Sequence, residues 1–361
     1  MAANSNGLDP NHMAMKFPQY AYPYSTFLWM DPGAPEVQNQ TYDVLIDLAT
    51  RYDLDGLHFD DYFYPYPVTD VPFPDAATYA EYVANGGSLS VADWRRDNVN
   101  RLVERLNTGI HEVKPWLRFS ISPFGIYRPC HEEGMPCSIS GFDQYEGLYS
   151  DPKLWLREGW IDVLQPQLYW LIEPPQQSYP VLLDWWVSQN ILDRHVFGGN
   201  YLSRIYEGWP LSEIRDQIQI SREHNNRIRG SWGNIQFSAK VFGRNDDDSV
   251  QYFKDSVYPY ASLTPEYPWL AQKAGVNSVP AEPVLTKIKQ YDNAAVFEWD
   301  FANVMFEKNV AVYKLEQSSN SWRLVKTLPF ISGRVELQSG VYAISNVDRF
   351  GKESSKVIVT V

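Results

Sequence analysis

Cysteine is nearly absent from this chain of 361 residues, which carries only Cys130 and Cys137. Both sit in one polar loop, Cys130-His-Glu-Glu-Gly-Met-Pro-Cys137. A local disulfide, formed if the protein is exported, or two free thiols fits that spacing; two sulfurs with His131 fall short of a four-ligand zinc site. Histidine is also scarce, with six in all, too few for a His-rich metal centre. No metal and no cofactor is expected. Basic charge is in deficit, 31 Lys and Arg against 44 Asp and Glu, and no basic stripe is present. That excludes nucleic acid as a partner, because phosphate binding needs clustered cations. No apolar run approaches the ~20 residues of a membrane helix, so no transmembrane segment is expected. The opening Met1-Ala-Ala-Asn-Ser-Asn6 has no feature of a signal peptide. The chain also lacks a phosphate loop ending in Lys-Ser/Thr, a Gly-x-Ser-x-Gly elbow and a His-Glu-x-x-His helix. The acidic run Asn245-Asp-Asp-Asp-Ser249 lacks the spaced ligands of a calcium loop and reads as solvated surface.

Aromatic residues, by contrast, are plentiful: 13 Trp, 24 Tyr and 17 Phe make up 15% of the chain. Flat apolar rings with polar tips serve thick cores and the stacking of sugar rings alike. From about residue 36 to 242, amphipathic helices alternate with short apolar strands, the pattern of βα units and a parallel sheet. The first helix places Val37, Val44, Leu45 and Leu48 on one face. A later one starts at Ser90, an N-cap with Asp93 three residues on, and its stripe is Val99, Leu102, Val103, Leu106, Ile110 and Val113. Strands are expected at Leu57–Asp60, Leu117–Ser122, Val163–Tyr169, His195–Asn200 and Asn234–Lys240, with helices around 151–158, 179–189 and 211–225. Each strand ends in a polar or aromatic loop, where a barrel carries its function.

The pattern changes after Asn277. Pro280 to Pro283 reads as a linker, followed by short strands at 295–299, 310–313, 322–325, 340–345 and 356–361 at sandwich spacing. The expected organisation is α/β: a partial TIM-type (β/α) barrel over residues 1–278, lacking its first three βα units, then a small all-β sandwich over 279–361. The sandwich resembles a fibronectin type III module in pattern.

Chemistry concentrates in Asp53-Leu-Asp-Gly-Leu-His-Phe-Asp-Asp-Tyr-Phe-Tyr-Pro-Tyr-Pro67. Strand alternation puts His58, Asp60 and Tyr62 on one face and Leu57, Phe59 and Asp61 on the other. Two adjacent acids ending an apolar strand are costly to desolvate unless paired or used. Asp60 and Asp61 are therefore the catalytic candidates; the bland reading has them cap the loop or bind Arg95 or Arg96. Glycoside cleavage needs an acid for the leaving oxygen and a base or nucleophile. Either the two aspartates divide these roles, or an N-acetyl group of the sugar acts as nucleophile. Glu173 is a weaker second carboxylate. Gln165, Gln167 and Tyr169 share a strand face and suit hydroxyl and acetamido recognition, and Trp170 offers a stacking ring. Tyr62, Tyr64, Asn200 and Ser238 complete the binding candidates with His58; Ser120, Ser122 and Lys240 end other strands.

These motifs, with Asp93-Trp-Arg-Arg-Asp-Asn-Val-Asn100, Ile121-Ser-Pro-Phe-Gly125, Pro166-Gln-Leu-Tyr-Trp170 and Phe237-Ser-Ala-Lys240, resemble the glycosyl hydrolase-like family 10 of bacteria over roughly residues 5 to 260. The resemblance implies a TIM-type barrel acting on a polysaccharide or oligosaccharide outside the cytoplasm. Some members are associated with peptidoglycan glycan strands without stem peptides, whose sugars carry N-acetyl groups. Family members open with three βα units and an export signal or lipoprotein anchor, and this chain begins after them. The spacing Asp55-Gly-x-x-x-Asp60 also resembles chitinase-type barrels, where the acid is a Glu at the place of Tyr62. The expected function is an exported glycoside hydrolase, and the alternative is a catalytically silent glycan-binding barrel at the cell surface.

Overall fold

The computed structural model describes residues 7–224, 233–244, 247–299 and 306–361. The opening six residues, and Asn245 and Asp246 of the acidic run, lie outside the described residues. The chain falls into two compact units, residues 1–250 and 251–361.

In the first unit α1 (Met13–Lys16) precedes an antiparallel hairpin of β1 (Ala21–Tyr24) and β2 (Phe27–Met30). Next come α2 (Pro35–Arg51), β3 (Gly56–Phe59), α3 (Ala76–Ala84), α4 (Val91–Val113) and β4 (Arg118–Ile121). The alternation continues with α5 (Gln144–Gly147), α6 (Pro152–Glu158), β5 (Val163–Leu164), α7 (Tyr179–Gln189), β6 (His195–Asn200), α8 (Leu211–His224) and β7 (Gly233–Gln236); α9 (Asp247–Ser256) spans the division at residue 250. Strands β3 to β7 form one curled parallel half-barrel sheet in sequential order. The helix starts obey local chemistry. Ser90 caps α4 by accepting the Asp93 N–H and returns its hydroxyl to the Asp93 carboxylate. Asp151 caps α6, whose Pro152 fits the first turn, and Gly159 ends it in the left-handed region at φ 70°.

Register fixes what each sheet face does. Phe59 lies opposite Ile121, Ile121 opposite Leu164, and Leu164 opposite Val196. This face packs on Val103, Leu106 and Ile110 of α4, Trp155 of α6 and Leu182 and Trp186 of α7, all buried. His58 pairs with Ser120 on the other face, which carries the polar groups. Val44 and Val113, counted into helical stripes, stand exposed instead. Each lies at the margin of its stripe, where the packed face turns to solvent.

In the second unit α10 (Pro268–Lys273) precedes β8 (Leu285–Gln290), β9 (Ala294–Trp299), β10 (Glu307–Glu316), β11 (Ser321–Pro329), β12 (Arg334–Gln338), β13 (Val341–Asp348) and β14 (Val357–Thr360). They make two antiparallel sheets, ordered β12-β9-β8 and β11-β10-β13-β14. Phe297 and Trp299 of one meet Val312 and Ile344 of the other in a shared core. The stretch before the linker joins this unit: Leu263 packs with Ala311 and Val347, and Tyr267 N–H donates to the Phe350 carbonyl. Cys130 and Cys137 are joined in a disulfide. Among the described residues no helix is long and apolar enough to cross a membrane.

Candidate active site

The site grows from the C-terminal ends of β3, β4 and β5. Because β3 ends at Phe59, Asp60 follows on the polar face and Asp61 turns back under the loop. Asp60 is exposed, whereas Asp61 is only 2% exposed. Asp60 Oδ1 accepts the Asp61 N–H at 3.0 Å and the Gln167 amide at 2.9 Å. The same Gln167 amide donates to the Ser122 carbonyl at 3.0 Å, so it bridges β4 and Asp60. Gln167 is itself held tightly. A β-carbon at Gly199 would lie 2.7 Å from the Pro166 carbonyl oxygen, and one at Gly125 would lie 2.3 Å from that of Gln167. Only glycine lets the neighbouring strands approach so closely.

Asp61 is closed in by the Tyr66 hydroxyl, which donates to its Oδ2. Burial pushes the Asp61 carboxyl up to about 6, and the negative charge of Asp60 pushes the same way while Tyr66 opposes both. Asp61 therefore keeps its proton above the ordinary carboxylate range. His58 Nδ1 lies 2.8 Å from the Ser120 hydroxyl and its Nε2 lies 3.2 Å from that of Ser122. Desolvation holds its pKa below the usual histidine value, although Asp60 pulls it up. Tyr169 stays a protonated phenol, since burial and the charges of Asp60 and Asp61 raise its pKa.

Rings surround these groups. Tyr62, 60% exposed, lies 6.3 Å from Trp29 and 6.1 Å from Tyr66 by ring centroids. Tyr169 meets Tyr201 at 4.9 Å and Phe237 at 5.7 Å, and Trp170 meets Phe124 at 5.6 Å. A cleft of about 430 Å³ runs beside β3, with Trp29, Phe59, Asp60, Tyr62 and Phe63 in its wall.

The structure thus brings Asp60, Asp61, Gln167, His58 and Ser122 into one linked cluster, with Tyr62 and Tyr169 close enough to feel both acids. Arg95 and Arg96 are engaged elsewhere, by Asp75 and by Asp93 with Glu146. Two binding candidates are buried rather than open to solvent. Tyr64 is fully buried against Phe73 and Tyr149, where the loop after β3 folds onto the core. Asn200 is fully buried too, with Gln217 accepting from its amide and Gln236 donating to its carbonyl. Both side chains are enclosed by the protein itself. Ser238 is half-buried beyond β7, its N–H donating to the Ser203 hydroxyl, and Glu173 is exposed. Tyr66, Trp29 and Tyr201 reach the site without being singled out by the sequence. Only the Tyr-x-Tyr-x-Tyr spacing of 62, 64 and 66 hinted at the first.

Clustered acids ringed by aromatic side chains at strand ends of a parallel sheet are the equipment of carbohydrate-active enzymes. The chain belongs to the family described as Glycosyl hydrolase-like 10, which matches residues 12–223. It is 33% identical over 299 residues to the glycosyl hydrolase YngK of Bacillus subtilis strain 168, covering 81% of this chain and 57% of that protein. It is 35% identical over 162 residues to the glycosyl hydrolase DigH of Escherichia coli K12, covering 44% and 36%. The chain therefore spans little more than half the length of the first relative. Among solved structures, an endo-beta-1,4-mannanase from Thermotoga petrophila aligns at a TM-score of 0.27 and 13% identity over 73% of this chain and 60% of its own, too distant to carry any argument.

Proposed function

We propose that the chain is the catalytic part of an exported glycoside hydrolase that cleaves N-acetylated glycan, in particular peptidoglycan strands, with Asp60 donating the proton. The observation that carries this reading is the buried Asp61 carboxyl, which burial keeps protonated above the ordinary carboxylate range, next to the exposed Asp60 that Gln167 orients. Asp61 is too buried to touch a substrate, so it acts as a positioning residue that holds the proton, and the exposed Asp60 presents it. The two acids are consecutive in the chain and their carboxyls interact directly by charge and hydrogen bonding, unlike a retaining or inverting pair, whose carboxyls flank the scissile bond. That adjacency leaves no place for a sugar carbon between them and favours an acetamido nucleophile from the substrate.

In this mechanism Asp60 protonates the leaving oxygen as the bond to the anomeric carbon breaks. The acetamido oxygen forms the new bond to that carbon. Water then opens the cyclic intermediate, returning a proton to the aspartate pair. The Tyr169 phenol and the Gln167 amide orient the acetamido group, with Tyr62 and Trp170 as stacking surfaces. The exported location is supported by the disulfide, which persists in oxidising compartments. We take the parallel sheet as part of a TIM-type barrel on its sequential strand order, and the C-terminal unit as fibronectin type III-like on its paired three- and four-stranded sheets. A second reading, a silent glycan-binding barrel, draws on Tyr62 standing where chitinase-type barrels carry their acid.

Parallel digestion of N-acetylated and de-N-acetylated glycan separates the possibilities. New reducing ends from the acetylated substrate alone are expected. Equal release from both would remove substrate assistance, and release from neither would favour the silent barrel.

A further inference from the structure

The C-terminal unit carries a cleft that hydrolysis does not use. Its volume is about 620 Å³, within the ~300–1,000 Å³ typical of small-molecule sites. Two aromatic rings line it: Trp322 on the end strand β11, 39% exposed, and Tyr260, 66% exposed. Single exposed rings are common on protein surfaces, but two lining one concave site are not what solvation favours. The polar lining is equally specific. Glu316 and Arg323 form an ion pair at 2.8 Å, and the hydroxyls of Ser319 and Ser321 lie 2.7 Å apart. The Arg323 guanidinium also stands 6.0 Å from the centre of the Tyr260 ring, tying that ring to the rest of the lining.

A pyranose ring presents an apolar C–H face and a rim of hydroxyls, each both donor and acceptor. Its recognition calls for a flat ring beside a carboxylate that accepts and a guanidinium that donates. Here both charges neutralise each other, so the cleft suits an uncharged polar ligand rather than an ion. The ion pair is formed before binding, which lowers the ordering cost of capture. We propose that this cleft is a non-catalytic saccharide-binding site, in which Trp322 and Tyr260 stack on sugar rings while Glu316, Arg323 and the serines bind hydroxyls. The ligand class rests on the glycan reading above.

The test is isothermal titration of the full chain carrying Asp60→Asn and Asp61→Asn, which cannot digest its ligand, with the β-1,4-linked hexasaccharide of N-acetylglucosamine. Two oligosaccharides per chain are expected. Trp322→Ala should reduce this to one, or weaken the second site about tenfold, as loss of a stacked ring does. Tyr260→Ala, at a position too exposed to unsettle the fold, should do the same at an unchanged unfolding midpoint. The proposal is overturned if neither substitution alters stoichiometry or affinity, or if the chain binds no oligosaccharide. One bound oligosaccharide that disappears with Trp322→Ala would uphold the cleft and defeat the barrel site. One that survives both substitutions would defeat the cleft and leave the barrel reading standing.

Discussion

Gln167 and Asp60 lie 107 residues apart in sequence and meet through a 2.9 Å hydrogen bond across the ends of β3, β4 and β5. The bond uses the oxygen of Asp60 that also accepts the Asp61 N–H, so Gln167 sets the direction in which the exposed carboxyl points.

Asp61 links stability to pH. Its folded-state pKa of about 6 exceeds the 3.8 of its reference state, so the folded protein keeps a proton that the unfolded chain releases. The stability this provides is fully present below 3.8 and is lost as the pH rises through 6. By pH 8 the ionised buried carboxyl costs on the order of 3 kcal/mol. Asp61→Asn, which cannot ionise, should raise the thermal midpoint at pH 8 and leave it near the wild-type value at pH 4. Equal midpoints at both pH values would show that Asp61 does not titrate near 6.

The Tyr66 hydroxyl lowers the pKa of Asp61 by hydrogen-bonding to its ionised form. Tyr66→Phe should therefore move the alkaline limb of the pH–rate profile to higher pH. A limb that stays in place while the rate falls would assign Tyr66 to sugar contact instead.

Gly199→Ala introduces a carbon 2.7 Å from the Pro166 carbonyl oxygen and 3.2 Å from Gln167 Cα. The strands must separate, at a cost of about 1–3 kcal/mol, and Gln167 must shift from Asp60. Circular dichroism melting should show a lower midpoint, and hydrolysis should fall further than the stability loss explains. A variant that melts like the wild type would contradict the close approach.

The disulfide closes a short loop in which Lys153 pairs with Glu132 and the Trp185 indole donates to the Glu133 carbonyl. Reduction should lower stability by about 2.5 kcal/mol, the loop-entropy value for this separation. The double Cys130→Ser, Cys137→Ser chain should melt at the reduced midpoint and ignore reductant. Insensitivity of the wild-type midpoint to reductant would count against the bridge.

How far the sequence revealed this arrangement depends on the range of each interaction. Strand parity is local, and it separates Leu57 and Phe59 from His58 and Asp60 without knowledge of the fold. The Ser90 cap and the α4 stripe are local in the same sense. Tyr64 and Tyr66 look alike in sequence, yet one packs under Arg95 and the other closes over Asp61, because only the return path of the loop decides. Asn200 ends its strand as a binding residue would, but α8 supplies Gln217 to pair with it. The strands at Leu285–Gln290 and Arg334–Gln338 leave little trace in the sequence, because β8 is exposed along most of its length and β12 is short. Neither carries a long apolar signal. The β1–β2 hairpin, which brings Trp29 to Tyr62, has no regular strand pattern in the sequence, because Pro23 and Ser25 interrupt it.

The most direct test measures reducing ends released from denuded peptidoglycan strands by the wild-type chain, Asp60→Asn and Asp61→Asn. Release by the wild type is predicted, with Asp60→Asn lowering the rate by about 10²–10⁴-fold, the usual contribution of a placed proton donor, and Asp61→Asn lowering it through the loss of the proton held beside Asp60. Unchanged release by both variants would contradict the account.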